Sequence, residues 1–190
     1  MEVSYKRDIK GLNLVLMCFL LFSIHCKNPS SEEGEAQGET STEGLYIYLT
    51  DVEREDGVTN EKEVLDTAEM IGDPVLEYTE VVSYDTTSHI IDMSITRKDF
   101  FKRVTTIGEE NEGFLVTLDS DKLYIGWFCG TYSSIERNNV VIMFDTVHEQ
   151  LDSNQIRLKP GYPSDTCFTE PDPRENSRLF ERLSEDGKAK

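Results

Sequence analysis

Hydrophobic and polar residues divide this chain into three zones. Gly11–Ile24 is almost entirely apolar, residues 27–43 contain no aliphatic or aromatic residue beyond Ala36, and from Leu45 onward short apolar runs alternate with polar turns. The third zone predicts the folded part of the chain, because only there do apolar positions recur at the spacings of strands and helices.

Several segments of the third zone show the alternation or the short apolar runs of β-strands, bounded by turn residues. The predicted strands are LYIYLTD (45–51), VLEYTEVVSYD (75–85), HIIDMSI (89–95), NNVVIMFD (138–145) and QIRLKPGYP (155–163). The second and third flank a turn at residues 85–88, with Ile91, Met93 and Ile95 on one face. The fourth contains a continuous apolar run and is expected at the centre of a sheet, and Pro160-Gly161 closes the fifth.

The clearest hairpin pairs FLVTL (114–118) with LYIGWF (123–128) across a polar turn at residues 119–122. Strands dominate the chain and the predicted helices are short. This pattern predicts an α+β fold, with a small, largely antiparallel sheet and two or three short helices in a single domain spanning residues 44–190.

Three helices are predicted. One covers residues 61–71, and a second follows Thr96, which forms a capping-box pattern with Asp99. The apolar stripe of the second helix is Phe100, Phe101 and Val104. The third helix is predicted to begin at Asp172 as N-cap, with Pro173 in its first position and Glu175 completing a capping box, and to end at Gly187. Its inward residues are expected to be Leu179, Phe180 and Leu183.

The apolar zone near the start of the sequence has the features of an export signal. Lys6, Arg7 and Lys10 make the first ten residues slightly basic, and the apolar run that follows has the length of a signal peptide's core and is short for a bilayer-spanning helix. A buried core helix would need amphipathic flanks, whereas a polar low-complexity run follows. We therefore expect residues 1–25 to form a signal peptide.

Ser23-Ile24-His25-Cys26 resembles the lipobox of bacterial lipoproteins. In that family the signal is cut before the cysteine, and the cysteine is acylated with chains such as palmitate. His25 and Ser23 depart from the usual residues at their positions, so the alternative is an ordinary signal peptide cut elsewhere. The resemblance implies lipidation of Cys26 and stable membrane anchoring, and Lys27 favours the outer membrane.

Residues 26–43 would then form a flexible tether, because Glu, Ser, Thr and Gly dominate and too little apolar area exists to order the segment. The whole chain carries 19 basic and 37 acidic residues, a net charge of −18. A chain this acidic repels phosphate backbones, and we expect no nucleic-acid partner.

Segments 84–101 and 113–134, followed by Gly-Tyr-Pro at 161–163 and Asp-Pro-Arg at 172–174, resemble a group of uncharacterised bacterial lipoproteins. More distantly, the strand–helix–hairpin order is similar to the head subdomain in the periplasmic region of the SecD export protein. The resemblance implies an exported accessory module and carries over no catalytic residue.

The four cysteines suggest one disulfide. Cys18 leaves with the signal and Cys26 is lipidated, so Cys129 and Cys167 remain as a pair in an oxidising compartment. A bridge closing that loop would stabilise the fold by roughly 3–4 kcal/mol. The alternative is two separate buried thiols. Neither cysteine lies in a C-x-x-C motif, so no redox or zinc role is predicted for them.

No metal or cofactor site is predicted. The carboxylates of Asp51, Glu53, Glu55 and Asp56 precede Gly57 in an acidic loop, and clustered carboxylates can bind hard cations. The loop does not match the EF-hand pattern, because its glycine is one position late and a lysine stands where a bidentate Glu is required. We interpret it as a solvated acidic loop.

Catalytic candidates are few. Asp85 and His89 flank a turn and could form an acid/base pair, although the same pattern is typical of a polar strand entrance. His148 is expected in an exposed loop, and Ser133 and Ser134 would be nucleophiles only beside a base. No hydrolase, metalloprotease or P-loop motif is present, so we expect no enzymatic activity.

The aromatic residues of the hairpin region allow two interpretations. Exposed together, Tyr124, Phe128 and Tyr132 would form a protein- or glycan-binding face. Core packing is the favoured interpretation for these residues and for Trp127 and Tyr162.

The sequence thus predicts a lipid-anchored protein of the bacterial cell envelope that acts as a binding or accessory module. Its expected partners are the membrane, through the lipid, and an envelope protein or glycan. The alternative is an envelope hydrolase that uses His89 with a nearby carboxylate or serine.

Overall fold

A computed structural model describes residues 43–52, 61–107, 113–131, 133, 136–144, 150–167 and 171–190. These residues belong to one compact unit, Thr40–Lys190. They form three α-helices and nine β-strands in two sheets, one mixed and one antiparallel, which confirms the predicted α+β class.

The larger sheet contains six strands: β1 (Leu45–Thr50), β2 (Met70–Leu76), β5 (Gly113–Leu118), β6 (Asp121–Cys129), β7 (Arg137–Met143) and β9 (Lys159–Tyr162). Their order across the sheet is β2-β1-β5-β6-β7-β9. Neighbouring strands are antiparallel except for β6 and β7, which are parallel.

The smaller sheet pairs β3 (Val81–Tyr84), β4 (Ile90–Met93) and β8 (Gln155–Arg157), in that order. The predicted turn at residues 85–88 connects β3 and β4. Residues 188–190 extend this sheet, because the Tyr84 amide donates to the carbonyl of Lys188 and the Lys190 amide donates to the carbonyl of Tyr84.

The helices are α1 (Glu61–Thr67), α2 (Arg97–Ile107) and α3 (Ser177–Glu185). The N-cap half of the predicted capping box is confirmed, since the Asp99 amide donates to Thr96 Oγ1. The Asp99 carboxylate accepts from the Thr96 hydroxyl, whereas a full box would have it accept from the Thr96 amide. One hydrophobic core joins both sheets to α2 and α3. Its fully buried members include Ile47, Leu76, Tyr84, Ile91, Phe100, Phe114, Phe128, Leu179 and Leu183.

The first predicted helix and the second predicted strand are both wrong in extent. Helix α1 ends at Thr67, and Ile71 pairs with β1 instead, because burial in the sheet outweighs weak helical propensity. Segment 75–85 is interrupted by a 3₁₀ turn at Tyr78–Glu80. The Glu80 carboxylate accepts two hydrogen bonds from Arg103 of α2, both 2.7 Å, a tertiary contact that local alternation does not encode.

The predicted last strand, 155–163, is also wrong, because it forms β8 and β9 in different sheets. Pro160-Gly161 lies within β9, at an edge of the larger sheet where a missing amide is tolerated. Strand β7 has neighbours on both sides but is next to this edge strand rather than central.

The hairpin between β5 and β6 has a shorter turn than predicted. Asp119 and Ser120 form it, both with positive φ (49° and 71°), while Asp121 and Lys122 belong to β6. Two consecutive positive φ angles match the right-handed twist of the flanking strands. The Asp119 carboxylate accepts a hydrogen bond of 2.6 Å from the Gly44 amide, which connects the turn to the start of β1.

Candidate functional site

A buried tyrosine–histidine pair lies where β3 ends and β4 begins. Tyr84 is fully buried and His89 is 4% exposed. The Tyr84 hydroxyl and His89 Nδ1 are hydrogen-bonded at 2.9 Å, and the two rings meet edge to face. This bond occupies Nδ1 and directs Nε2 away from Tyr84.

The backbone fixes His89 on two sides. Its amide donates to the carbonyl of Asp85 across the turn, and its own carbonyl accepts from the amide of Leu158. His89 has a φ of 54°, a left-handed conformation that costs a non-glycine residue some free energy. The imidazole is therefore held in one place by the β3–β4 turn and by the segment between β8 and β9.

The segment before α3 supplies two carboxylates and a buried arginine. Arg174 is 5% exposed and donates from Nη1 to the carbonyl of Leu158 at 2.6 Å. Its Nε donates to Asp172 Oδ1 at 2.8 Å, and Nη2 donates to Asp172 Oδ2. Leu158 thus contacts both His89 and Arg174, which brings the β3–β4 turn and residues 172–175 together.

We call Tyr84, His89, Asp172, Arg174 and Glu175 the His89 cluster. His89 Nε2 lies 3.8 Å from Glu175 Oε1, and one ligand atom from each of His89, Asp172 and Glu175 lies within 4.8 Å of the others. The Glu175 side chain is 62% exposed and that of His89 5%. The cluster therefore opens from a buried imidazole to solvent across two carboxylates.

Electrostatics keep the imidazole neutral and the Asp172 carboxylate ionised. Burial lowers the pKa of His89, and the Arg174 guanidinium lowers it further, against opposing effects of Asp172 and Glu175. Burial alone would raise the pKa of Asp172, but hydrogen bonds from Arg174 bring it below its ordinary value. Burial raises the pKa of the Tyr84 hydroxyl well above its ordinary value.

Tyr124 of β6 adds a buried hydroxyl beside the cluster. Tyr124 is 5% exposed, and its hydroxyl has no hydrogen-bond partner among the described residues. Burial raises its pKa, and charges at Tyr84, Arg174 and Asp172 act on it as well. A buried hydroxyl without a partner costs roughly 1–3 kcal/mol, so its partner is expected to be an ordered water or a bound ligand.

Asp85 and His89, which the sequence allowed either as an acid/base pair or as a polar strand entrance, make no hydrogen bond between their side chains among the described contacts. The Asp85 carboxylate accepts hydrogen bonds from the amides of Thr87 and Ser88, at 2.8 and 2.9 Å, and these bonds lower its pKa. Asp85 therefore stabilises the turn, and the carboxylates that approach the His89 imidazole come from residues 172 and 175, far away in sequence.

Only some of the other candidate catalytic and cation-binding residues lie within the described part of the chain. Ser133 is half-buried and its amide donates to the carbonyl of Gly130, whereas Ser134 and His148 lie outside the described residues. The acidic loop falls mostly outside them as well. Its first residue, Asp51, accepts a hydrogen bond of 2.8 Å from the Glu69 amide.

Of the cysteines, Cys129 lies at the end of β6 and is fully buried. It packs in a small apolar cluster with Trp127, Val141 and Met143. The side chain of Cys167 and all of Cys18 and Cys26 lie outside the description. The disulfide and the lipidation site therefore remain predictions.

The hairpin aromatics are mainly core. Tyr124, Trp127 and Phe128 are all buried, which confirms the favoured interpretation for them. Tyr162 is half-buried and donates a hydrogen bond of 2.6 Å to the carbonyl of Thr131. Tyr132 lies outside the described residues.

Sequence reasoning missed Asp172, Arg174 and Glu175 as site residues. Asp172 and Glu175 matched a helix-capping pattern in the sequence. Helix α3 begins later, and the Asn176 side chain accepts from the amides of Arg178 and Leu179. The sequence signal for the later start was Asn176, which is also a good N-cap residue and stands immediately before the helix. With Asn176 as the cap, the carboxylates of Asp172 and Glu175 are not needed to cap the helix.

Within the described part of the chain, none of the helices combines the length and hydrophobicity needed to span a membrane.

Comparisons with protein-family models, curated proteins and solved structures found no match to this chain.

Proposed function

We propose that this protein is a lipid-anchored component of the bacterial cell envelope, in the outer membrane, and that its domain acts as a binding or accessory module. The observation that carries the proposal is the abrupt change at Cys26, from an apolar segment to a polar one that leads to β1. A thiol at that boundary is where acyl chains would replace a removed signal as the membrane anchor.

Binding is favoured over catalysis by the surroundings of His89. The hydroxyl hydrogen-bonded to its ring is Tyr84, and burial raises the pKa of that hydroxyl, so Tyr84 is a poor nucleophile. The His89 cluster thus presents a neutral imidazole nitrogen and two carboxylates but no serine, threonine or cysteine nucleophile, and such a set of groups can bind a ligand. An envelope protein or glycan remains the proposed macromolecular partner.

The alternative is an envelope hydrolase. The observation in its favour is that His89 Nε2 faces Glu175 at 3.8 Å, so a water molecule beside the pair, hydrogen-bonded to both, could be activated. This alternative predicts turnover of activated ester or amide substrates that is lost in Glu175→Gln. A chain without such turnover supports the binding module.

The anchor is tested by growing cells that express the full chain with labelled palmitate. We expect label and membrane association for the natural chain, and the loss of both in Cys26→Ala. The matched control is Cys18→Ala, which removes the other cysteine of the apolar region and should keep the label. Intact mass should show loss of residues 1–25 and the mass of the acyl chains. An unlabelled, full-length chain would refute the proposal.

A further inference from the structure

The geometry points to a binding site for a divalent transition-metal ion, of the Zn²⁺ class, formed by His89 Nε2 and the carboxylates of Asp172 and Glu175. The inference names a ligand for the proposed binding module. It depends on the proposed function only for the cellular compartment in which the metal would be bound. It is carried by the convergence of three ligand atoms from two distant segments of the chain.

The distances suit a site that tightens slightly around an ion. The three ligand atoms lie within 4.8 Å of one another, whereas ligands in a tetrahedral zinc site lie roughly 3.4 Å apart, given metal–ligand bonds of about 2.0–2.2 Å. Glu175 Oε1 is already 3.8 Å from His89 Nε2, and its side chain is 62% exposed and can adjust to an ion. The Asp172 carboxylate would also have to shift toward His89 Nε2, within its hydrogen bonds to Arg174.

The partners of His89 match those of a metal-bound histidine. Such histidines are oriented by a hydrogen bond at the other ring nitrogen, and here Tyr84 makes that bond to Nδ1 at 2.9 Å. No described residue makes a hydrogen bond to Nε2, whose nearest carboxylate is that of Glu175 at 3.8 Å. A nitrogen ligand also selects zinc-like ions over calcium and magnesium, which prefer all-oxygen sites.

Arg174 leaves Asp172 able to bind a metal. The carboxylate accepts from the Arg174 amide at Oδ1, from Nη2 at Oδ2, and from Nε at both oxygens. A metal ion on Oδ2 would therefore replace the longer Nε contact of 3.1 Å, and the Nε bond to Oδ1 would remain. The charges of Asp172, Glu175 and Arg174 sum to −1, which attracts a cation, and the chain's net charge of −18 raises the local cation concentration.

Tyr124 places a buried hydroxyl near two residues of the His89 cluster. Its buried hydroxyl has no partner in the described part of the chain, and it is close enough to Asp172 and Arg174 for their charges to affect it. Three protein ligands leave a coordination position for water.

The test is a Zn²⁺ titration of the full chain, solubilised in detergent and stripped of metal with a chelator. We expect one Zn²⁺ per chain at this site, with a shift of the His89 imidazole nitrogen resonances in long-range ¹H–¹⁵N NMR spectra. Ca²⁺ at the same concentration should leave these resonances unchanged. Glu175→Gln should weaken Zn²⁺ binding at least 10-fold.

The matched control is Glu181→Gln, an exposed glutamate of α3, which should bind Zn²⁺ like the natural chain. Glu175→Gln is preferred to a His89 variant because an exposed side chain can change without unfolding the protein. The inference is overturned if millimolar Zn²⁺ leaves His89 unshifted, if only His25 or His148 shifts, or if both variants bind equally. The solubilised protein is measured independently of acylation, so loss of palmitate labelling would reject the anchor and leave the zinc result intact.

Discussion

At the scale of single residues, partly buried polar side chains are stabilised by a few short hydrogen bonds from distant segments. Asp92 of β4 is the clearest case, since its carboxylate accepts from Ser83, Gln155 and Lys190, each at 2.6 Å. These three bonds join β3, β8 and the last residue of the sequence to one side chain. Each donor stabilises the negative charge of the Asp92 carboxylate, so this carboxylate remains ionised.

Stability should therefore depend on the protonation of Asp92. Hydrogen bonds from Lys190, Ser83 and Gln155 lower its pKa to about 2, against about 3.9 in an unfolded chain. A lowered folded-state pKa adds stability above pH 4, and that stability is lost as the pH falls from about 4 to about 2. We expect Asp92→Asn to cost on the order of 2 kcal/mol at pH 7, with the difference from the natural chain shrinking below pH 4.

Urea unfolding between pH 2 and pH 7 measures this effect. Asp66→Asn, at an exposed carboxylate of α1, is the control and should follow the natural chain within about 0.5 kcal/mol. An Asp92→Asn variant that differs from the natural chain by the same free energy at every pH would contradict the assignment.

At the scale of elements, the position where α3 begins decides which residues form the site. Because Asn176 caps the helix, Asp172 lies in the preceding segment and binds Arg174 instead of helix amides. The Glu175 amide donates to the carbonyl of Asp172, so the segment forms a tight turn. If α3 began four residues earlier, the carboxylates of Asp172 and Glu175 would both lie at its first turn.

The cap at Asn176 can be tested by substitution. Asn176→Ala removes the acceptor for the amides of Arg178 and Leu179, bonds of 3.0 and 3.2 Å. We expect it to lower the free energy of unfolding by about 1 kcal/mol, measured by urea denaturation at neutral pH. Asn176→Asp keeps a good cap and should lose little. Equal losses in both variants would show that the side-chain bonds do not stabilise the helix.

At the scale of the whole molecule, the two sheets share one core, and the last three residues of the sequence help to close it. Lys188 donates from Nζ to the carbonyl of Tyr78 at 2.6 Å, with its ammonium 3.9 Å from the centre of the Tyr78 ring. Ala189 lies beside Tyr84 in a parallel bridge. These contacts connect the end of α3 to β3, next to the His89 cluster.

Removing residues 188–190 should therefore destabilise the whole fold. The truncation leaves the buried Tyr84 amide and carbonyl without their partners, and at roughly 1–2 kcal/mol for each group left unsatisfied we expect a loss of roughly 2–4 kcal/mol. Thermal unfolding of the natural and truncated chains measures it. Lys190→Ala keeps the backbone pairing and should lose less. A truncated chain as stable as the natural one would show that this pairing does not contribute.

The sequence by itself determined the elements that local patterns encode. Alternation determined β1 and β4, the Thr96–Asp99 box determined the start of α2, and the polar turn between apolar runs determined the β5–β6 hairpin. Each of these signals lies within a few residues, and the structure agrees with it to within two or three residues. The α+β class followed from their order.

Only the tertiary structure decided how these elements combine and where the His89 cluster lies. Strand order, the division of 155–163 between two sheets and the approach of residues 172–175 to His89 depend on contacts between residues far apart in sequence. A local sequence pattern does not encode such contacts, because their free energy comes from apolar surface buried between distant segments and from hydrogen bonds between those segments. The sequence alone therefore supplied the expectation of a lipid anchor at Cys26, whereas the arrangement of imidazole and carboxylates came from the fold.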